Sequence, residues 1–226
     1  MAQLFATGIY TTIWTLPNLR RKGINKMHFL SQYQLTISES RKLKLYDSYS
    51  VHKAVFTLFE DVRLGDRKKP SGVLYADKGM RGGRRTILIL SDRKPKEPSA
   101  GGIAVRNLPA PYLGYSAYSF ELVINAVKRD SKTGKIIPIK GRQYIAEWFL
   151  KKSLSWGFSV PESSFMVAEI GVDQFRKSNC LVTLQKAKVT GLLEVEKHDV
   201  FVNSVYNGIG RGKTFGCGLL QIVPAY

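Results

Sequence analysis

The sequence predicts an α+β fold of two tandem ferredoxin-like (RRM-like) βαββαβ units. Three observations point there. The second half reads as strand, helix, strand, strand, helix, strand. The first half supplies at least strand, helix, strand, strand of the same unit. A composition of 44% hydrophobic and 11% aromatic over 226 residues argues against disorder and supplies the apolar surface for one or two cores.

Residues 1–26 carry four basic residues and no acid and read as an N-terminal extension. The N-terminal unit with its linker is placed at 27–113 and the C-terminal unit at 114–226. A strand opens at Met27-His28-Phe29. Phe29, Ser31, Tyr33, Leu35 and Ile37 alternate on one face, and His28, Leu30, Gln32, Gln34 and Thr36 on the other. Asp47 or Ser48 caps a helix running to about Glu60, with Val51, Ala54, Val55 and Leu58 as its apolar stripe. Strands follow at 73–76 and 86–90. The stretch Ser91–Gly114 holds four of the nine prolines and a Gly-Gly pair, and reads as a linker or a degraded helix and strand. Beyond it come a strand at 117–128, a helix at 142–156, strands at 164–171 and within 181–195, a short helix capped by Asp199 and ending at Asn207, and a last strand at 217–223.

Charge narrows the partner. Thirty-five basic against 17 acidic residues give a formal net charge of +18, which points to nucleic acid. No apolar run approaches the ~20 residues that span a bilayer. Residues 2–16 are mildly apolar, but their charges follow the run, the reverse of a secretory signal. No membrane partner and a cytoplasmic location are therefore expected. Cys180 and Cys217 fit no metal-ligand spacing and read as buried thiols in a reducing compartment. His28, His52 and His198 are far apart in sequence. No metal and no cofactor are expected. His28 reads as facing solvent or RNA at a strand start, and His198 as structural, in a turn before the Asp199 cap.

The segment Gly208-Ile-Gly-Arg-Gly-Lys-Thr-Phe-Gly-Cys-Gly218 places five glycines within eleven residues, with Arg211 and Lys213 between them. Glycine permits tight turns and close approach, and successive N–H groups can cradle a phosphate. Walker A fails, because the glycine it needs falls at Asn207; the dinucleotide fingerprint fails at Lys213. A surface turn joining a helix to the last strand is a commoner explanation than any nucleotide site, but it does not explain the interleaved cations. Gly208, Gly210, Arg211 and Lys213 are therefore candidate RNA contacts. Two basic hairpins join them. Arg81, Arg84 and Arg85 surround Gly82-Gly83, and Lys128, Arg129, Lys132 and Lys135 flank the turn 130–134. No good RNP1 match is present, so base stacking on an open sheet is not the expected binding mode.

Four segments resemble the CRISPR-associated repeat-processing endoribonucleases, above all the CasE family of type I-E Cascade subunits. They are Asp47-Ser-Tyr49-Ser-Val-His52 with its apolar run to Phe59, Leu88-Ile-Leu-Ser91 through Pro95, Phe120-Glu-Leu-Val-Ile-Asn125, and Gly208–Leu220. Ala126 stands where the family usually has proline, and the first 26 residues have no counterpart. The resemblance implies a metal-independent endoribonuclease that binds and cleaves the repeat stem-loop of CRISPR precursor RNA. It implies a 2′,3′-cyclic phosphate product, other Cascade subunits as partners, His52 in general acid–base catalysis and Tyr49 positioning the reacting groups. A lone histidine on the edge of an amphipathic helix usually covers core, and Phe56 and Phe59 could make that its only task; the resemblance favours catalysis. Lys186 and Lys188, on the strand before Gly191, are candidates for positive charge at the scissile phosphate, with Lys53 as an alternative. The rival from another class is a non-catalytic RNA-binding ribonucleoprotein component. A third reading is a nucleotide-binding protein using the glycine loop.

Overall fold

A computed structural model of the chain describes residues 27–63 and 69–225. The expectation for residues 1–26 lies outside these. The first sheet comprises β1 (Phe29–Thr36), β2 (Val73–Arg81), β3 (Arg84–Ser91) and β4 (Gly102–Asn107), in the order β2-β3-β1-β4. The second comprises β5 (Ala117–Asn125), β8 (Phe158–Ser159), β9 (Met166–Lys177), β10 (Cys180–Val195) and β11 (Gln221–Pro224). Its order is β11-β5-β10, with both β8 and β9 paired to the far edge of β10. All pairings are antiparallel. In each sheet the last strand lies beside the first, and the strand preceding the last in sequence lies on the first strand's other side, which is the ferredoxin-like arrangement. A short hairpin of β6 (Val127–Arg129) and β7 (Ile136–Pro138) stands apart from both.

The alternation in β1 decides how the units pack. Tyr33 and Leu35 share a face with Tyr75, Ile87 and Ile89, and this face is covered by the helix α2 (Ser48–Phe56) through Val51 and Val55. Leu74, Ala76 and Leu90 point the other way and join the core of the second unit. That core is built on Tyr118, Phe120, Leu122 and Ile124 of β5. It is closed by α3 (Arg142–Ser153) through Ile145 and Phe149, and by α4 (His198–Asn207) through Phe201 and Val205. Packing both faces of one sheet couples the two units without a separate linker domain.

Several local expectations change. The β1 alternation ends at Thr36, not Ile37. Thr36 and Glu39 form a reciprocal capping box that starts an unexpected short helix, α1 (Ile37–Lys42). α2 ends at Phe56 rather than near Glu60, although Leu58 and Phe59 remain buried in the turns that follow. The 91–114 stretch supplies β4 and a 3₁₀ turn at Ala110–Leu113, but no second helix. Irregular backbone fills that place, where Tyr33 Oη donates to the Ala100 carbonyl at 2.8 Å and the Lys96 N–H donates to the Leu58 carbonyl at 2.7 Å. β5 breaks after Asn125. The helix expected at 142–156 finishes as a 3₁₀ turn, Leu154–Trp156. α4 begins at His198 with Lys197 as its N-cap, so Asp199 lies in the first turn and is not the cap.

The strand expected at 164–171 runs Met166–Lys177, six residues further, because β9 and β10 continue as a two-stranded ribbon beyond the sheet. Most side chains there are exposed, apart from the buried Phe175 and Leu184, so the ribbon accepts the polar residues that read as a strand end. Cys180 is exposed at the turn of this ribbon, contrary to expectation, whereas Cys217 is buried and its thiol pKa is pushed up to about 11 by that burial. The last strand begins only at Gln221, since Gly216–Leu220 curl before it. No helix among the described residues is long and apolar enough to cross a membrane.

Asp47 starts α2 through a capping box, its carboxylate accepting from the Ser50 N–H at 2.7 Å. Asp47→Ala should therefore cost ~1 kcal/mol of stability in a denaturant titration.

Candidate active site

α2 carries Tyr49 and His52 on adjacent turns of one face, and two other elements close around them. The Tyr49 ring stacks against Phe175 of β9 at 6.1 Å and 8°, and against His52 at 6.0 Å and 16°. His52 also touches Phe56 at 4.4 Å and Phe215 of the glycine-rich loop at 5.7 Å. Phe175 and Phe215 meet at 4.7 Å. The histidine thus sits where a helix, the β9–β10 ribbon and the loop converge. Its Nδ1 is buried with no hydrogen-bond partner. Burial lowers the His52 pKa below its ordinary 6.5, and Lys177, Arg63 and Lys53 push the same way, with the Thr214 backbone a partial offset. The imidazole is accordingly neutral at pH 7.

The expected lysines are present but paired. Lys186 Nζ lies 3.0 Å from Asp173 Oδ2 and donates to Ser48 Oγ, which itself donates to Asp173. Lys188 lies 3.2 Å from Glu169 and 3.9 Å from Glu121. Glu121 also pairs with the largely buried Lys78, whose pKa is lowered by burial despite that partner. Lys78, Glu121, Glu169, Lys186 and Lys188 line a cleft of ≈ 450 Å³ between the two sheets, walled also by Ser48, Tyr75, Arg81 and Phe215. His52 does not line it. Lys53 is exposed, with its Nζ 4.9 Å over the Tyr49 ring.

All five loop glycines have positive φ, between 72° and 85°. Two of them show why side chains are excluded. A Cβ on Gly216 would meet Tyr75 Cε2 at 3.0 Å, and one on Gly218 would meet the Ile209 carbonyl at 2.5 Å. Gly210 differs: nothing lies within 4 Å of its Cβ position, so its conformation is special but its surroundings are open. The Lys213 ammonium turns inward to the Asn207 carbonyl at 2.7 Å, whereas Arg211 is exposed and bridges by backbone to Asn125.

The basic hairpins divide similarly. Arg84 is exposed, but Arg85 binds Asp77 through Nε and Nη2 and donates to the Leu45 carbonyl at 2.6 Å, which commits it to the fold. Lys128 and Arg129 are exposed on the β6–β7 hairpin, with Arg129 bracing the turn through the Gly134 carbonyl at 2.7 Å. His28 stacks on Tyr206 at 3.7 Å and 5°, so it meets another ring of the protein instead of standing free. His198 lies 3.2 Å from the Leu113 carbonyl, as a structural histidine would, though in the first turn of α4. Among the described residues no three His, Cys, Asp or Glu side chains gather as a metal site. Ser48, Asp173, Phe175, Phe215 and Lys177 were not singled out from sequence as site residues. Only Ser48, next to Tyr49, carried a local hint.

The family profile of CRISPR associated protein matches residues 28–224. The chain belongs to this family. No curated protein matches it in sequence. Among solved structures, this CRISPR-associated protein is similar to the CRISPR endoribonuclease Cse3 bound to a 19-nt RNA, with a TM-score of 0.75 and 19% identity over 88% of this chain and 100% of that one. It is also similar to Cas6e from Escherichia coli str. K-12, with a TM-score of 0.59, 18% identity and coverage of 87% and 100%. A chain of a CRISPR RNA-guided surveillance complex in a pre-nicking state matches with a TM-score of 0.65, 20% identity and the same coverage of 87% and 100%. These likenesses establish the shared fold, and the family profile bears out the resemblance read from the four motifs.

Two tests follow from the geometry. Titrated by NMR, His52 should show a midpoint below 6.5. The unfolded chain then takes up the proton first, so the stability His52 holds as a neutral group is full above pH 6.5 and is lost as pH falls toward the folded midpoint. A His52→Gln variant should show a flatter stability profile over that window. Separately, Gly210→Ala should cost only ~1–2 kcal/mol, the strain of a left-handed backbone, while Gly218→Ala should disrupt the loop outright, as read by loss of its amide protection.

Proposed function

We propose that this CRISPR-associated protein is a metal-independent endoribonuclease that binds the repeat stem-loop of CRISPR precursor RNA and cleaves it to mature guide RNA. The observation that carries the reading is His52 beside Tyr49, enclosed by the ribbon and the glycine-rich loop of a strongly basic chain. The endoribonuclease named for the similar Cse3 structure supports it.

RNA brings its own nucleophile, so the protein has only to move protons and stabilise charge. The neutral imidazole of His52 accepts the proton of the 2′-hydroxyl. The 2′-oxygen–phosphorus bond forms, and the phosphorus–5′-oxygen bond breaks. The 5′-oxygen leaves with a proton drawn from solvent. The products are a 2′,3′-cyclic phosphate and a 5′-hydroxyl. Tyr49, fixed between Phe175 and His52, positions the reacting groups. Arg81, Arg84, Lys128, Arg129 and Arg211 hold the RNA backbone, and the turns at Gly208 and Gly210 let it approach the loop. Lys213 shapes that loop from within. Likeness to a surveillance-complex chain supports retention of the product in a multi-subunit Cascade assembly.

The test is single-turnover cleavage of the organism's own repeat RNA in EDTA. His52→Ala should slow cleavage at least ~100-fold with stem-loop affinity little changed. A 2′-deoxy substitution at the cleaved nucleotide should block the wild type without preventing binding. Abolition by EDTA, or full activity of His52→Ala, overturns the mechanism. Binding without cleavage by the wild type makes the chain a non-catalytic RNA-binding component.

Affinity should fall steeply with salt, because each neutralised phosphate releases counterions. Arg84→Ala and Lys128→Ala should each flatten that slope by roughly one counterion. Arg85→Ala should instead lower stability, since its partners are Asp77 and Leu45.

A further inference from the structure

The candidate site has its proton acceptor but lacks an obvious cation for the phosphate. Lys186 is bound by Asp173 and Ser48, and Lys188 by Glu169 and Glu121. A phosphate would have to displace a carboxylate from either. The cleft they line does not include His52. Another lysine is better placed. Lys177 ends β9 on the face of the ribbon that carries Phe175 and Asp173, because alternate strand residues share a face. Its Nζ lies 5.9 Å over the Phe215 ring, whose other contacts are His52 and Phe175. It is exposed, and no carboxylate of the described residues forms an ion pair with it. A flexible four-carbon stem lets the ammonium swing between the ring and a bound anion.

We propose that Lys177 is a catalytic residue of this site, the cation that contacts the scissile phosphate beside His52, and that Lys186 instead braces the ribbon against α2. The proposal rests on the endoribonuclease reading. Lys177 would stabilise the charge that accumulates on the non-bridging oxygens as the 2′-oxygen attacks. It has a second effect on the same step. Of the charged groups facing His52, namely Lys53 on its own helix, Arg63 beyond it and Lys177 on the ribbon, Lys177 exerts the largest pull. Tyr49, Phe56, Phe175 and Phe215 complete the surroundings without charge. One side chain therefore both adds to burial in disfavouring protonation of the base and meets the anion.

Lys177→Met, Lys177→Arg and Arg176→Met are compared by single-turnover cleavage of the repeat RNA across pH, by stem-loop affinity and by NMR titration of His52. Arg176 is the control, because it offers the same charge from the opposite face of the ribbon tip. Lys177→Met should slow cleavage ~10–100-fold at saturating protein, as loss of a charge-stabilising donor does. It should raise the His52 midpoint and shift the acid limb of the rate profile to higher pH, since removing a cation favours protonation. Lys177→Arg should restore most of the rate, and Arg176→Met should leave both the rate and the His52 midpoint near wild type. If the wild type cleaves and Lys177→Met cleaves equally well with an unshifted His52, the proposal fails while the endoribonuclease reading stands. Equal effects of Arg176→Met and Lys177→Met reduce Lys177 to a general surface charge and overturn the proposal. If the wild type does not cleave its own repeat, the proposal falls with the functional reading.

Discussion

The close approach of the glycine-rich loop to strand β2 is the constraint on which the site depends. Gly216 lies so near the Tyr75 ring that a methyl group would contact it at 3.0 Å, and Tyr75 donates its hydroxyl to the Thr214 carbonyl at 3.1 Å. Tyr75 is itself buried in the face covered by α2. One tyrosine therefore fixes the distance between the loop of the second unit and the helix of the first. Phe215, between Thr214 and Gly216, is held against His52 as a result. A side chain at Gly216 would lift the loop, and the aromatic enclosure would open on one side. Burial of His52, and with it the lowering of its pKa, would be lost together with that contact.

Charge in this protein is sorted by depth. Lysines in the cleft between the sheets are matched with carboxylates. Lys78 and Glu121, only 12% and 9% exposed, pair with each other, and Lys188 and Lys186 have acids of their own. Desolvation makes this arrangement necessary, because an unpaired buried ammonium is far more costly than an exposed one. Excess positive charge therefore collects at the surface, on the two hairpins, the loop and the ribbon tip, where water offsets the cost and a polyanion can reach it. The net charge of +18 thus states that a polyanion is attracted but not which cation is free to meet it.

What the sequence by itself determined is the part of the structure that local chemistry controls. Alternation marked β1, the capping residue marked the start of α2, and glycine spacing marked the loop, because side-chain period, caps and left-handed turns depend on neighbours a few residues away. The order of these elements gave the two-unit fold, and Tyr49 and His52 were legible as a pair on one helix face. The length of β9, the exposure of Cys180 and the ion pairing of the lysines were settled only by tertiary structure. Ser48 and Asp173 meet across 125 residues of sequence, and Ser48 and Lys186 across 138. Ion pairing and burial act through space, so a lysine that is free in one fold is neutralised in another without any change in its own segment. The face of the first sheet opposite α2 is likewise covered by Leu219, Leu220 and Ile222 of the second unit, and no local pattern announces a partner so distant in the chain.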